Sequence, residues 1–239
     1  MHSLRSITAQ RLATFLSGLA VLTACASTKP IAYHELPSAS HLVAAHDGNN
    51  QFEYTSPNAD LRHYINVVLD PVTIYTGDDA QFGSVPAEGR SAIAEFMQQQ
   101  FTTELGKEVQ MVDTTSEPST ARLHLTLTGM ETSTPVASTL SHVLPVGLLV
   151  NAGLGAAKHG GTFFGSVSYA AEIYDAATGE LVYASVSKRA PSALDITSSI
   201  GRLDAAKKGV RVGAQHLREE LTKMEIVDSP KRLASAVQP

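Results

Sequence analysis

From Ala121 to Met130 the side chains alternate. Leu123, Leu125 and Leu127 fall on one side and His124, Thr126 and Thr128 on the other, the period-two signature of a strand with one face in a core. The same alternation returns at Val167, Tyr169, Ala171 and Ile173 and at Val182, Ala184 and Val186. Between those two runs lies Asp175-Ala176-Ala177-Thr178-Gly179-Glu180, which reads as a hairpin connection with glycine where the chain needs positive φ. Earlier, Tyr64 to Tyr75 holds two β-rich runs separated by Asp70-Pro71. Pro71 has no N–H to give to a ladder, so it implies an edge position or a bulge. Val109 to Val112 is a further short strand.

Two stretches keep helical spacing. Ile93, Phe96, Met97, Phe101 and Leu105 share a face, preceded by Ser84-Val85-Pro86-Ala87-Glu88 and followed by Gly106. Ser84 offers a cap, Pro86 suits the first turn, and Gly106 is a stop signal. Around residues 199 to 224, Leu203, Val210, Ala214, Leu217, Leu221 and Met224 recur in steps of three, four and seven. The resulting order is β-α-β-β-(apolar insert)-β-β-α. It predicts an α/β fold of the α+β sandwich kind, a mostly antiparallel sheet with helices on one face.

The remaining segments lack a clear period. Residues 25–60, rich in Ser, Pro, Asn, His and Ala, read as a tether or a segment laid over the domain surface, with little regular structure. Residues 61–224 form the expected single domain, and 225–239 a C-terminal tail. Within the domain, residues 136–161 are an insert whose centre, 143–157, carries no charge. Fifteen residues are too few to span a bilayer as a helix. The run is either buried on the sheet or, through Val146, Leu148, Leu149, Val150 and Leu154, a contact for a membrane or a partner.

Residues 1–24 have the three parts of a secretory leader: Arg5 and Arg11, an apolar body from Leu12 to Leu22, and the small pair Thr23-Ala24, with no acid before Cys25. The order Leu22-Thr23-Ala24-Cys25 resembles the lipobox of bacterial lipoproteins. That resemblance implies a thioether-linked lipid on Cys25 and cleavage between Ala24 and Cys25. Ala26 follows, with no Asp in that place, which by the same resemblance favours the outer membrane, with the domain facing the periplasm. Each buried acyl methylene contributes about 0.8 kcal/mol of membrane affinity, so several chains on one cysteine hold a protein durably.

Charge and cysteine content narrow the classes further. Removing the leader takes Lys and Arg from 18 to 16 against 23 acids, a net of −7. That opposes nucleic acid as a partner, because no basic stripe is present to neutralise phosphates. Cys25 is the single cysteine, so intrachain disulfides, a thiolate metal site and a cysteine nucleophile are not expected.

Catalytic and metal signatures are weak. His34-Glu35 opens like His-Glu-x-x-His, but Ser38 stands where the second histidine belongs and Pro37 breaks the helix that would present both ligands. Gly153-Leu154-Gly155 meets Lys158 where a dinucleotide fingerprint needs its third glycine. Asp78 and Asp79 sit in a glycine-bearing turn, where acids are usually solvated. Asp70 and Asp175 suit turn capping better than acid/base work, and His124 suits a hydrogen-bonded surface position. No catalytic residue, metal or cofactor is therefore expected beyond the covalent lipid.

The phrases Tyr64 to Asp70-Pro71-Val72-Thr73-Ile74-Tyr75, Leu140 to Gly147 and Glu172 to Glu180, taken together over roughly residues 50 to 224, resemble the bacterial lipoprotein family called domain of unknown function 3313. The resemblance implies an envelope location and this fold, and it transfers no activity. The expected function is a lipid-anchored outer-membrane lipoprotein acting as a binding or scaffold module for an envelope protein or cell-wall component. The alternative is a carrier of a small apolar ligand or lipid in a pocket lined by the insert.

Overall fold

A computed structural model describes residues 31–45, 52–57, 64–132, 165–191 and 203–224. Its strands are β1 (Val43–Ala44), β2 (Phe52–Thr55), β3 (Asn66–Leu69), β4 (Thr73–Ile74), β5 (Gln110–Met111), β6 (Thr120–Glu131), β7 (Ser166–Asp175) and β8 (Leu181–Arg189). Two helices, α1 (Ala87–Leu105) and α2 (Asp204–Lys223), complete the described elements. The strands form one sheet in the order β1-β2-β8-β7-β6-β3-β5, with β4 also paired to β6. The long ladders β2/β8, β8/β7 and β7/β6 are antiparallel, whereas β3, β4 and β5 join in parallel. The expected α+β sandwich, with a mostly antiparallel sheet and helices on one face, is the fold of this chain.

The alternation read from β6 places the helix-side core. Leu123, Leu125 and Leu127 are at most 1% exposed and meet Ile93, Met97 and Phe101 of α1 and Val210, Ala214, Leu217 and Leu221 of α2. Each such side chain contributes about 1.5–3 kcal/mol on burial. Helix α2 lies close to the sheet because two of its positions have no side chain. A Cβ at Gly209 would stand 2.7 Å from the Arg189 carbonyl oxygen, and one at Gly213 2.7 Å from the Tyr169 hydroxyl.

Pro71 occupies a bulge. Leu69 pairs with Leu123 and Thr73 with Thr126, so β3–β4 advances four residues while β6 advances three. The α1 start differs from expectation: Pro86 is the N-cap, with no side-chain cap, and Ser84 lies in the turn before it. Gly106 ends the helix, but at φ −61°, so its stop does not use left-handed backbone. Helix α2 begins at Asp204, and residues 192–202 of its expected approach lie outside the described residues.

The second face of the sheet corrects the expected boundaries. Of the two readings of the segment before residue 61, a tether or a segment laid over the domain surface, residues 31–45 take the second and run across this face as a strap. Tyr33 is 1% exposed, Leu36 5% and Ser38 1%, and the first two cluster with Tyr75, Ala170 and Val186. Downstream, β2 pairs along β8 from Phe52↔Val186 to Thr55↔Tyr183. The domain therefore begins before residue 61, the expected boundary, and takes in the strap and β2. The layers are helices, sheet and strap. The Cys25 site, the leader, the C-terminal tail from 225 on and nearly all of the insert, including Val146, Leu148, Leu149, Val150 and Leu154, lie outside the described residues.

Candidate functional site

Beside Pro37, in the middle of the strap, lies a cleft of about 350 Å³ lined also by Thr115, Arg122, His124, Tyr174, Asp175, Ala176 and Gly179. Its floor follows from strand periodicity and register. Arg122 and His124 stand two apart on the strap face of β6, and Arg122 lies opposite Tyr174 of β7. Asp70, in the bulge after β3, braces the floor. One of its oxygens takes Arg122 Nε at 2.7 Å and His124 Nε2 at 2.6 Å. The His124 and Tyr174 rings meet edge to face at 6.3 Å.

The hairpin supplies the cleft's wall. Asp175 Oδ1 accepts the N–H groups of Ala177 and Thr178 and the Thr178 hydroxyl, and Oδ2 accepts the Tyr64 hydroxyl at 2.8 Å. Burial pushes this carboxyl up, but those donors outweigh it and hold the pKa below the ordinary value. Gly179, at φ +73°, closes the turn as the sequence predicts. Asp175 is thus a turn cap, whereas Asp70 is an ion-pair partner and not the cap that sequence suggests. Burial, and then the Glu172 carboxylate, push the Tyr174 hydroxyl up to about 12, so it stays a neutral donor near pH 7.

Near its start the strap is fastened by a second cluster. His34 Nδ1 lies 2.9 Å and its backbone N–H 3.1 Å from Asp79 Oδ2, while Nε2 approaches Asp78 Oδ1 at 3.4 Å. Tyr75 donates to Asp79 Oδ1 at 2.6 Å and accepts the Glu35 N–H at 3.2 Å. The Asp79 hydrogen bond raises the His34 pKa, and nearby Asp78 and Glu35 add to the shift. Burial raises Asp79, but the Tyr75 and His34 donors prevail and its pKa is lowered. Among the described residues His34, Asp78 and Asp79 form the set able to hold a metal ion, with ligand atoms within 4.8 Å of one another. Asp79 is committed to three donors, and the cluster acts as a polar latch. Midway along the strap the Ser38 N–H donates to the buried Glu172 carboxylate at 2.8 Å, and Tyr33 donates to Gln81 at 3.0 Å.

On the helix side, a third polar group ties α2 to β8. Arg189 Nη2 lies 2.8 Å from His216 Nδ1, and the Tyr183 hydroxyl donates to Glu220 at 3.3 Å. Burial raises the pKa of both Tyr169 and Tyr183. These contacts hold helix to sheet. Alternation placed His124 on the polar face of β6, whereas Arg122, two positions earlier on the same face, did not stand out; their convergence with Tyr174, and with Asp70 across the bulge, becomes visible only once the register is known.

The family model described as Protein of unknown function (DUF3313) matches residues 32–217. The chain belongs to this family. The DUF3313 match opens one residue before Tyr33, earlier than the resemblance read from residue 50, and so takes in the strap, its latch and the cleft. No curated protein matches the chain. Among solved structures, a PelC dodecamer from Paraburkholderia phytofirmans is 9% identical, with 74% of this chain and 97% of that chain covered, at a TM-score of 0.37. A putative neuraminyllactose-binding hemagglutinin homolog from Helicobacter pylori is 10% identical, covering 78% and 94%, at 0.31. A DUF4136 family protein from Bacteroides thetaiotaomicron is 12% identical, covering 73% and 98%, at 0.33. No helix among the described residues is long and apolar enough to cross a membrane.

Proposed function

We propose that this DUF3313 chain is an outer-membrane lipoprotein, anchored through a lipid on Cys25, whose periplasmic domain is a binding or scaffold module for an envelope protein or cell-wall component. The observation that carries the reading is the strap. Tyr33 is buried in the domain and lies eight positions after Cys25. Fully extended, eight residues reach at most about 28 Å. An anchor on Cys25 would therefore keep the domain within one small-domain diameter of the bilayer, instead of on the thirty-five-residue leash that composition suggests. A module held this close serves partners at the membrane surface.

The carrier reading has less support. The layer between helices and sheet is filled by Ile93, Met97, Phe101, Val210, Ala214 and Leu217, each at most 2% exposed, leaving little room there for an apolar ligand. The test is crosslinking in living cells of the anchored protein beside a Cys25→Ser form, with identification of what each captures. The scaffold reading expects one envelope protein or wall fragment held by the anchored form and lost with Cys25→Ser. Capture of no macromolecule, together with a copurifying lipid, would overturn it in favour of the carrier.

A further inference from the structure

We propose that the cleft beside Pro37 of the strap binds one neutral sugar ring, free or as the exposed unit of a glycan. The proposal rests on the binding-module reading and gives it a site, but it does not depend on the anchor.

Charge balance excludes the simpler ligands. Among the described residues Arg122 is the one permanent cation lining the cleft, and it is paired to Asp70, while Asp175 stands next to Tyr174 in the wall. An anion would enter between two carboxylates. A cation would meet Arg122 and find both Asp175 oxygens already filled by four donors. A neutral ligand pays neither penalty.

Hydrogen-bonding capacity then selects a polyol. Among the described residues the Arg122 terminal nitrogens, the Tyr174 hydroxyl and the Thr115 hydroxyl have no protein partner, and all three residues line the cleft, so these groups are donors available to a ligand there. His124 Nε2 points at Asp70, which leaves Nδ1 as the ring nitrogen without a protein partner among the described residues. Free donors and an uncommitted ring nitrogen around one opening match hydroxyl groups, each of which both donates and accepts. The polar groups are also fixed in advance. Asp70 holds the Arg122 plane and the His124 ring, and Tyr174 abuts that ring, so little side-chain entropy is lost on binding. The ring of Tyr174 and the face of Pro37 offer apolar surface to the C–H side of a sugar. At about 350 Å³ the cleft lies at the small end of the range for ligand sites.

The test uses the full-length protein in a detergent without a sugar headgroup. The His124 and Tyr174 side-chain resonances are followed by NMR during titration with glucose, N-acetylglucosamine, glucuronate and glucosamine. A neutral sugar is expected to shift both resonances saturably, with glucuronate and glucosamine at least several-fold weaker. Arg122→Gln should weaken binding by about tenfold or more, the effect of losing a hydrogen bond to a charged group. Thr115→Ala, on an exposed loop, should weaken it several-fold with an unchanged denaturation midpoint. The proposal is overturned if no sugar gives a saturable shift, if glucuronate or glucosamine binds as tightly as the neutral sugars, or if both variants bind like the parent protein. Such a result leaves the crosslinking test of the module reading unaffected, so the two fail separately.

Discussion

Replacing Tyr33 by alanine separates a strap built into the fold from a free tether. In the structure the ring is 1% exposed, packs edge to face on Tyr75 at 5.3 Å between centroids, and carries a hydroxyl that donates to Gln81 at 3.0 Å. Truncating a buried aromatic side chain to alanine costs about 3–5 kcal/mol in transfer and cavity terms. The aromatic pair accounts for about 0.5–1.5 kcal/mol of such a loss, and the hydrogen bond for about 1. The backbone offers no compensation, because Tyr33 sits at φ +46° and alanine carries the same Cβ. The expected loss is about 4 kcal/mol, a large share of the stability of an ordinary domain. With a urea slope near 2 kcal/mol per molar, the midpoint should fall by roughly 2 M. Tyr33→Phe should cost about 1 kcal/mol and serves as the control. A change below about 0.5 kcal/mol for Tyr33→Ala, the size usual for exposed positions, would refute the strap and restore the tether.

Two further outcomes concern the same segment. The Ser38 hydroxyl is buried without a partner among the described residues, so Ser38→Ala should leave stability unchanged or raise it by up to about 1 kcal/mol; a loss above that in urea denaturation would mean the hydroxyl is satisfied. The latch should depend on pH with a definite sign. The raised His34 contributes fully below its unfolded value of 6.5 and loses that contribution as pH rises through its folded value, while the lowered Asp79 contributes above 3.8 and loses it as pH falls through its own folded value. The stability difference between the parent protein and His34→Gln should therefore be largest between those limits and shrink toward alkaline pH; a difference independent of pH would show that the ring does not pair with Asp79.

Much of the sheet was legible because β6, β7 and β8 alternate strictly on the helix side and Gly179 marks their turn. The helices were legible from Ile93 to Leu105 and from Val210 to Leu221, where apolar spacing repeats over several turns. The strap was not, for a physical reason on each side of the contact. Its anchors Tyr33, Leu36 and Leu42 follow a chain of turns with no fixed period. The surface they cover presents Thr126, Ser168, Ala170 and Glu172, small or polar groups that read as solvent-facing although all are buried. Strand β2 adds only four residues, one of them Glu53, and gains its place from pairing with β8. The cleft was legible only in part: alternation set His124 on the polar face of β6, but Arg122 carried no signal of its own there. Asp70 reached them through a one-residue bulge that Pro71 hinted at without fixing its partners.

The most direct measurement of the central claim is the intact mass of the protein extracted from the bacterial envelope. The account predicts a chain that begins at Cys25 and carries the mass of a diacylglyceryl group and an amide-linked acyl chain, both lost with Cys25→Ser. A chain that still begins at Met1, or one cleaved elsewhere and free of lipid, would contradict the anchor and with it the short leash that the strap implies.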